Sequence, residues 1–162
     1  MVNVRMRASS KETNCLFCEI ANGSAPAHSV YEDDHLFAFL DVGPIRPGHI
    51  QITPRAHYTC FEELPPELAA EVIHLGQRLA IVLKKIYEVP RVGFLFTGGD
   101  IAHAHAHVIP LVKKTDITSR RYIVEEKITF RNTPRPTDHE MKETAEMIRA
   151  RFQVMNKNVI QA

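Results

Sequence analysis

Three histidines, His103, His105 and His107, alternate with Ala104 and Ala106 before Val108-Ile109-Pro110. Side chains two apart along an extended chain share a face, so in a strand all three imidazoles would point the same way. Imidazole accepts and donates hydrogen bonds, ligates metals and attacks electrophiles near neutral pH. The plainer alternatives are a solvated face on an amphipathic strand or a fortuitous surface metal trap. Valine and isoleucine running into a proline stop favour a strand. Far upstream, Cys15-Leu16-Phe17-Cys18 is a CxxC segment. Two thiolates at this spacing supply half of a tetrahedral metal site, and they could equally be a redox pair or two buried small residues. Asp41, His49 and His57 lie beside Gly and Pro turns. An aspartate there satisfies a turn as readily as it binds a ligand, and His49 could simply line a strand edge.

These groups need a scaffold, and the length of 162 residues predicts one domain with one core. Hydrophobic residues at 44% and charged residues at 24% fit a globular chain, and a formal charge of +1 exerts no overall pull on nucleic acid or an anionic membrane. An anionic ligand must therefore be held locally. Apolar runs are too short to span a bilayer, and residues 1–14 carry charge and serine in place of a signal-peptide core, so the expectation is a cytoplasmic protein with a loose N-terminal tail. Three cysteines in a reducing compartment point away from a disulfide framework, and Cys60 reads as a small buried residue.

Val30-Tyr31-Glu32 and Leu36 to Leu40 read as a hairpin closed by Asp33-Asp34. A stiff loop from Gly43 to Gly48 follows, and then a strand from His49 to Thr53 that stops at Pro54. Leu68, Val72, Leu75, Leu79, Val82 and Ile86 recur at helical spacing, predicting a long amphipathic helix from Pro65 that ends before Pro90. Another strand is expected over 92–96, a loop at 97–99, and then the histidine strand. Basic residues outnumber acids from Lys113 to Arg135, which fits a solvated arm or a flap near an anion. Thr137-Asp138-His139-Glu140 has capping-box form ahead of a closing helix bearing Met141, Ala145, Ile148, Phe152 and Met155 on one stripe. The expected organisation is a tail at 1–14, a core at 15–112, a basic arm at 113–136 and a C-terminal helix at 137–156.

From Cys15 to about Pro110 the chain resembles the histidine triad (HIT) family of nucleotide hydrolases and transferases. The resemblance is carried by Cys-x-Phe-Cys-x-Ile, Val30-Tyr31-Glu32-Asp33-Asp34, Ala38-Phe39-Leu40-Asp41, Pro47-Gly48-His49, Pro54-Arg55-Ala56-His57 and His-x-His-x-His. It implies an α+β fold with about five antiparallel strands, the long helix packed across them, and a homodimer. It further implies His105 as nucleophile through a covalent nucleotidyl intermediate, His107 as phosphate donor and His49 as a brace for the active strand. Leu16, Phe17, Ile20, Phe39, Leu40 and Val42 would surround a purine base, and Asp41 would accept from the ribose. Cys15, Cys18, His57 and His103 would hold structural zinc. A closed set of four would leave no open position for activating water. One departure stands out. Where the family carries a longer loop with Gly-Gln-Ser or Gly-Gln-Thr, this chain has Thr97-Gly98-Gly99-Asp100, so Gly99 and Asp100 occupy the positions facing phosphate and leaving group. An aspartate there repels phosphate unless it is turned away or protonated. The expected substrates are nucleoside phosphoramidates or dinucleoside polyphosphates. The rival expectation, motivated by the altered loop, is a zinc-stabilised nucleotide-binding scaffold with decayed catalysis. A DNA-end nucleotide remover is disfavoured by the near-neutral charge and the lack of an appended finger.

Overall fold

The computed structural model describes residues 15–97, 101–113, 116 and 135–159. The first element is α1, a short helix over Leu16–Ala21, followed by the hairpin β1 (Ser29–Glu32) and β2 (Leu36–Leu40). Asp33 closes that hairpin by accepting the backbone N–H groups of His35 and Leu36. Strand β3 (Ile50–Pro54) comes next, and then, after a single 3-10 turn, the long helix α2 (Pro66–Tyr87). Strands β4 (Arg91–Phe96) and β5 (Ala106–Leu111) and the helix α3 (Asp138–Val159) complete the described chain. The five strands form one antiparallel sheet in the order β1-β2-β3-β5-β4. This is the expected α+β architecture.

Alternation along the strands gives the sheet two different faces. Leu36, Ala38 and Leu40 of β2, Ile50 and Ile52 of β3 and Ala106 and Val108 of β5 pack with Leu68, Val72, Leu75, Leu79 and Val82 of α2 and with Met141, Ala145, Ile148 and Phe152 of α3. Helix α3 thus closes the body of the chain itself. The capping box is formed: Thr137 donates its backbone N–H to the Glu140 carboxylate at 2.7 Å, and the Glu140 N–H reaches Thr137 Oγ1 at 3.3 Å. On the opposite face Phe37 and Phe39 pack with Cys15, Phe17, Ile20 and Ala21 of α1. The histidines open onto this second face.

The extended strand expected over all three histidines is shorter than that. Strand β5 begins at Ala106, because the N–H of His103 bonds Ile101 O and the N–H of Ala104 bonds Tyr58 O. Those donors are spent on a turn and on the 57–58 loop instead of on a neighbouring strand. Most of the expected basic arm lies outside the described residues. No helix among the described residues is long and apolar enough to cross a membrane.

Candidate functional site: two histidine clusters back to back

Cys15 caps α1 and Cys18 lies three residues on, which places both thiols at one end of the short helix. The loop after β3 brings His57, and the turn before β5 brings His103. Cys15 Sγ lies 3.3 Å from His103 Nδ1, Cys18 Sγ lies 3.3 Å from His57 Nδ1, and Cys18 Sγ lies 3.5 Å from His103 Nδ1. All four ligand atoms fall within 4.8 Å of one another. Tetrahedral zinc at ordinary bond lengths holds its sulfur and nitrogen ligands roughly 3.6 Å apart, so this S2N2 set has the right donors at nearly the right separations. The Nε2–H of His103 donates to Pro54 O at 3.0 Å, which leaves Nδ1, facing both thiols, as the nitrogen that could ligate a metal. Burial lowers the pKa of His103 to about 4, keeping the ring neutral as a metal ligand must be.

Two residues on, His105 uses its nitrogens the other way round. Its Nδ1–H donates to the backbone carbonyl of His103 at 2.6 Å, so Nε2 keeps its lone pair. The ring is buried, with the Phe17 ring edge-on at 5.0 Å and the His107 ring at 5.0 Å. Neutral imidazole with a free Nε2 is a nucleophile.

His107 and His49 form a directional chain. The backbone N–H of Ile45 donates to His49 Nδ1 at 3.3 Å, so His49 carries its hydrogen on Nε2 and gives it to His107 Nδ1 at 2.9 Å. His107 in turn carries its hydrogen on Nε2, where Thr97 Oγ1 accepts it at 3.0 Å. Asp41 Oδ2 lies 3.5 Å from His49 Nδ1, but that nitrogen already accepts the peptide hydrogen and the carboxylate already takes the Gln51 amide at 2.7 Å. Burial pushes the His49 pKa down to about 4, and burial, with His105 alongside, also lowers that of His107. Asp41, His49 and His107 lie close enough to be considered a second metal cluster. Yet the facing His49 and His107 nitrogens share one hydrogen, which describes a proton-bearing relay and not a chelate.

The structure gathers Phe17, Ile20 and Phe39 into one apolar cluster beside His105. Leu16 and Val42 are 48% and 75% exposed. Leu40 is not brought to this cluster: alternation turns it into the core on the helix face. Asp41 sits at the end of β2, its Oδ1 accepting the Gly43 N–H at 2.7 Å. Gly99 and Asp100 lie outside the described residues. Three participants were missed by sequence reasoning. Gln51 holds Asp41, and a lone polar residue between Ile50 and Ile52 on the same face as His49 was the available signal. Arg46 and Asp116 form a bidentate pair at 2.7 and 3.2 Å, and Asp116 also accepts the N–H groups of Val112 and Lys113. No local pattern announces a pair 70 residues apart. It fastens the loop before His49 to the chain leaving β5, and it drives the Asp116 carboxyl far below the usual carboxylate range.

Residues 22–114 match the HIT domain. An uncharacterised HIT-like protein of Methanocaldococcus jannaschii is 38% identical over 100 residues, spanning 59% of this chain and 78% of that one. An adenylylsulfatase of Arabidopsis thaliana is 31% identical over 111 residues, 65% of this chain and 56% of that protein. A zinc-bound histidine triad family protein from Mycobacterium smegmatis superposes with a TM-score of 0.69 at 25% identity, covering 90% of this chain and 97% of that one.

Proposed function

This chain belongs to the HIT family, and from that premise we propose that it is a nucleotidyl hydrolase or transferase acting through a covalent nucleotidyl-histidine intermediate. The observation that carries the proposal is the hydrogen bond from His105 Nδ1–H to His103 O, which leaves Nε2 as the acceptor nitrogen of the ring, beside Phe17 and His107. In the first step Nε2 bonds to the α-phosphorus while the phosphorus–nitrogen or phosphorus–oxygen bond to the leaving group breaks. The departing group keeps the electron pair and takes up a proton. Water then attacks the same phosphorus, releasing the nucleoside monophosphate and restoring His105. His107 Nε2–H, now held by Thr97, turns to a non-bridging phosphate oxygen, and His49 keeps that hydrogen on the correct nitrogen.

The base lies against Phe17, Ile20 and Phe39, and Asp41 accepts from the ribose. The preferred substrates are purine nucleoside phosphoramidates or related adenylyl conjugates, with dinucleoside polyphosphates as the second class. The similarity to an adenylylsulfatase favours small adenylyl conjugates. Cys15, Cys18, His57 and His103 would hold a structural zinc, which supplies rigidity and no open coordination position. The chain would pair as a homodimer along β4, the terminal strand of the described sheet, beside the exposed Phe61, Ile73 and Phe94.

Rapid quenching of the protein with adenosine 5′-phosphoramidate, read by intact-mass and peptide mass spectrometry, tests the mechanism. Adenylate should be trapped on His105, and His105→Asn should bind AMP without forming an adduct. An adduct on another residue, or turnover surviving in His105→Asn, refutes the assignment.

A further inference from the structure

One row of side chains crosses the open face of the sheet. Phe39 on β2 stands opposite Gln51 on β3, Gln51 opposite His107 on β5, and His107 opposite Leu95 on β4. Residues paired across antiparallel strands point to the same face, and neighbouring strands lie about 4.8 Å apart. Gln51 therefore stands midway between the aromatic wall proposed for the base and the imidazole proposed for the phosphate. A nucleotide laid along this row puts its sugar over Gln51.

Both ends of the Gln51 carboxamide are informative. Its NH2 group donates to Asp41 Oδ2 at 2.7 Å, and only a donor can face a carboxylate, which fixes the orientation of the amide. The Asp41 carboxylate is then held at both oxygens, since Gly43 N–H takes Oδ1. The other end, Gln51 Oε1, is enclosed and has no hydrogen-bond partner among the described residues. Buried polar atoms are nearly always paired, so an orphaned acceptor in the middle of a binding row marks a place where a ligand donor arrives. We infer that Gln51 reads the sugar: its Oε1 accepts one ribose hydroxyl while its NH2 group presents Asp41 to the other. The neighbouring His107 ring is tied outward through Thr97. A substrate phosphate takes over that tie, while His49 goes on holding the other ring nitrogen.

This inference rests on the nucleotide site proposed above and gives it a specificity. An apolar base slot discriminates weakly among purines, whereas a buried acceptor rejects a sugar that lacks the matching hydroxyl. The test titrates the full chain with AMP, 2′-deoxyAMP and 3′-deoxyAMP by calorimetry, in the wild type and in Gln51→Met and Gln51→Leu. The wild type should bind AMP roughly tenfold more tightly than at least one deoxynucleotide, the worth of one hydrogen bond. Both variants should lower AMP to the deoxynucleotide level, changing KM and not kcat for the corresponding phosphoramidates. A merely structural role would weaken all three ligands equally, so an unchanged ratio in either folded variant overturns the inference. AMP binding without turnover would refute the hydrolase reading while the ribose ratio still decides the role of Gln51. Failure of all three nucleotides to bind overturns both.

Discussion

His103 and His105 are the same residue type two positions apart, yet they present opposite ring nitrogens to their surroundings because their hydrogens sit on opposite nitrogens. His103 spends Nε2–H on Pro54 O and turns Nδ1 toward the cysteines. His105 spends Nδ1–H on the carbonyl of His103 and keeps Nε2 as its acceptor nitrogen, the one proposed to meet substrate. The two clusters are thus coupled through one peptide group: whatever fixes His103 also fixes the acceptor that sets the tautomer of His105. A backbone carbonyl, which no side-chain motif displays, separates an imidazole that presents Nδ1 to two thiols from one that presents Nε2.

The largest expected effect separates the two clusters directly. His105→Asn should abolish turnover, a loss of roughly ten-thousandfold or more, while zinc content by elemental analysis and thermal stability stay at wild-type values. His103→Asn should release the metal and destabilise the fold by on the order of 5 kcal/mol, and turnover falls as a consequence. Zinc retained at full occupancy in His103→Asn would break the contrast, as would metal loss in His105→Asn.

A smaller effect is expected where the loop before His49 packs against Tyr87 at the end of the long helix. Gly48 has φ +82°, and a Cβ there would lie 2.3 Å from a ring carbon of Tyr87. Gly48→Ala therefore meets both backbone strain and overpacking, together about 2–4 kcal/mol. The displacement falls on His49, next in the chain, and not on the cysteines. Chemical denaturation should show the stability loss, and turnover should fall while the metal stays bound. Unchanged denaturation would mean that Tyr87 swings away freely, and the loop would then not be held from the helix side.

The elements legible in the sequence were those whose signals are local. The spacing from Leu68 to Ile86, Pro66 in the first helical turn and the Thr137-x-x-Glu140 box each contain their own cause, and the helices stand over Pro66–Tyr87 and Asp138–Val159. The hairpin around Asp33 is equally self-contained. What was hidden depends on distant partners. The late start of β5 follows from a backbone hydrogen bond that Ala104 N–H donates to Tyr58 O, and the Arg46–Asp116 clamp joins two loops of ordinary composition. The resemblance places Leu40 at the base slot, whereas strand alternation puts it back to back with Phe39 in the core under the helices. Gln51 was visible as a break in an apolar strand, but its meaning required the register that sets it between Phe39 and His107.

The smallest expected effect sharpens the comparison by titration. A metal bound at the cysteine cluster would hold His103 neutral, whereas His49 and His107 are pushed toward neutrality by burial. With zinc saturating, the His49 pKa of about 4 lies below that of an unfolded histidine, near 6.5, and that of His107 is lowered in the same sense. Between these values the unfolded chain binds more protons than the folded one, so stability falls as pH drops from about 6.5 toward 4 and is level above 7. His49 alone contributes a loss of about 1 kcal/mol by pH 5.5. His35, raised by the exposed Glu71, acts with the opposite sign, but solvent screens that pair and its contribution is small. Urea denaturation of wild type and His49→Gln at pH 7.5, 6.5 and 5.5 should show the wild type losing stability and the variant losing less. Parallel curves would mean that the charged ring is accommodated in place, and the relay from Ile45 through His49 to His107 would then not require the neutral tautomer on which the donor role of His107 depends.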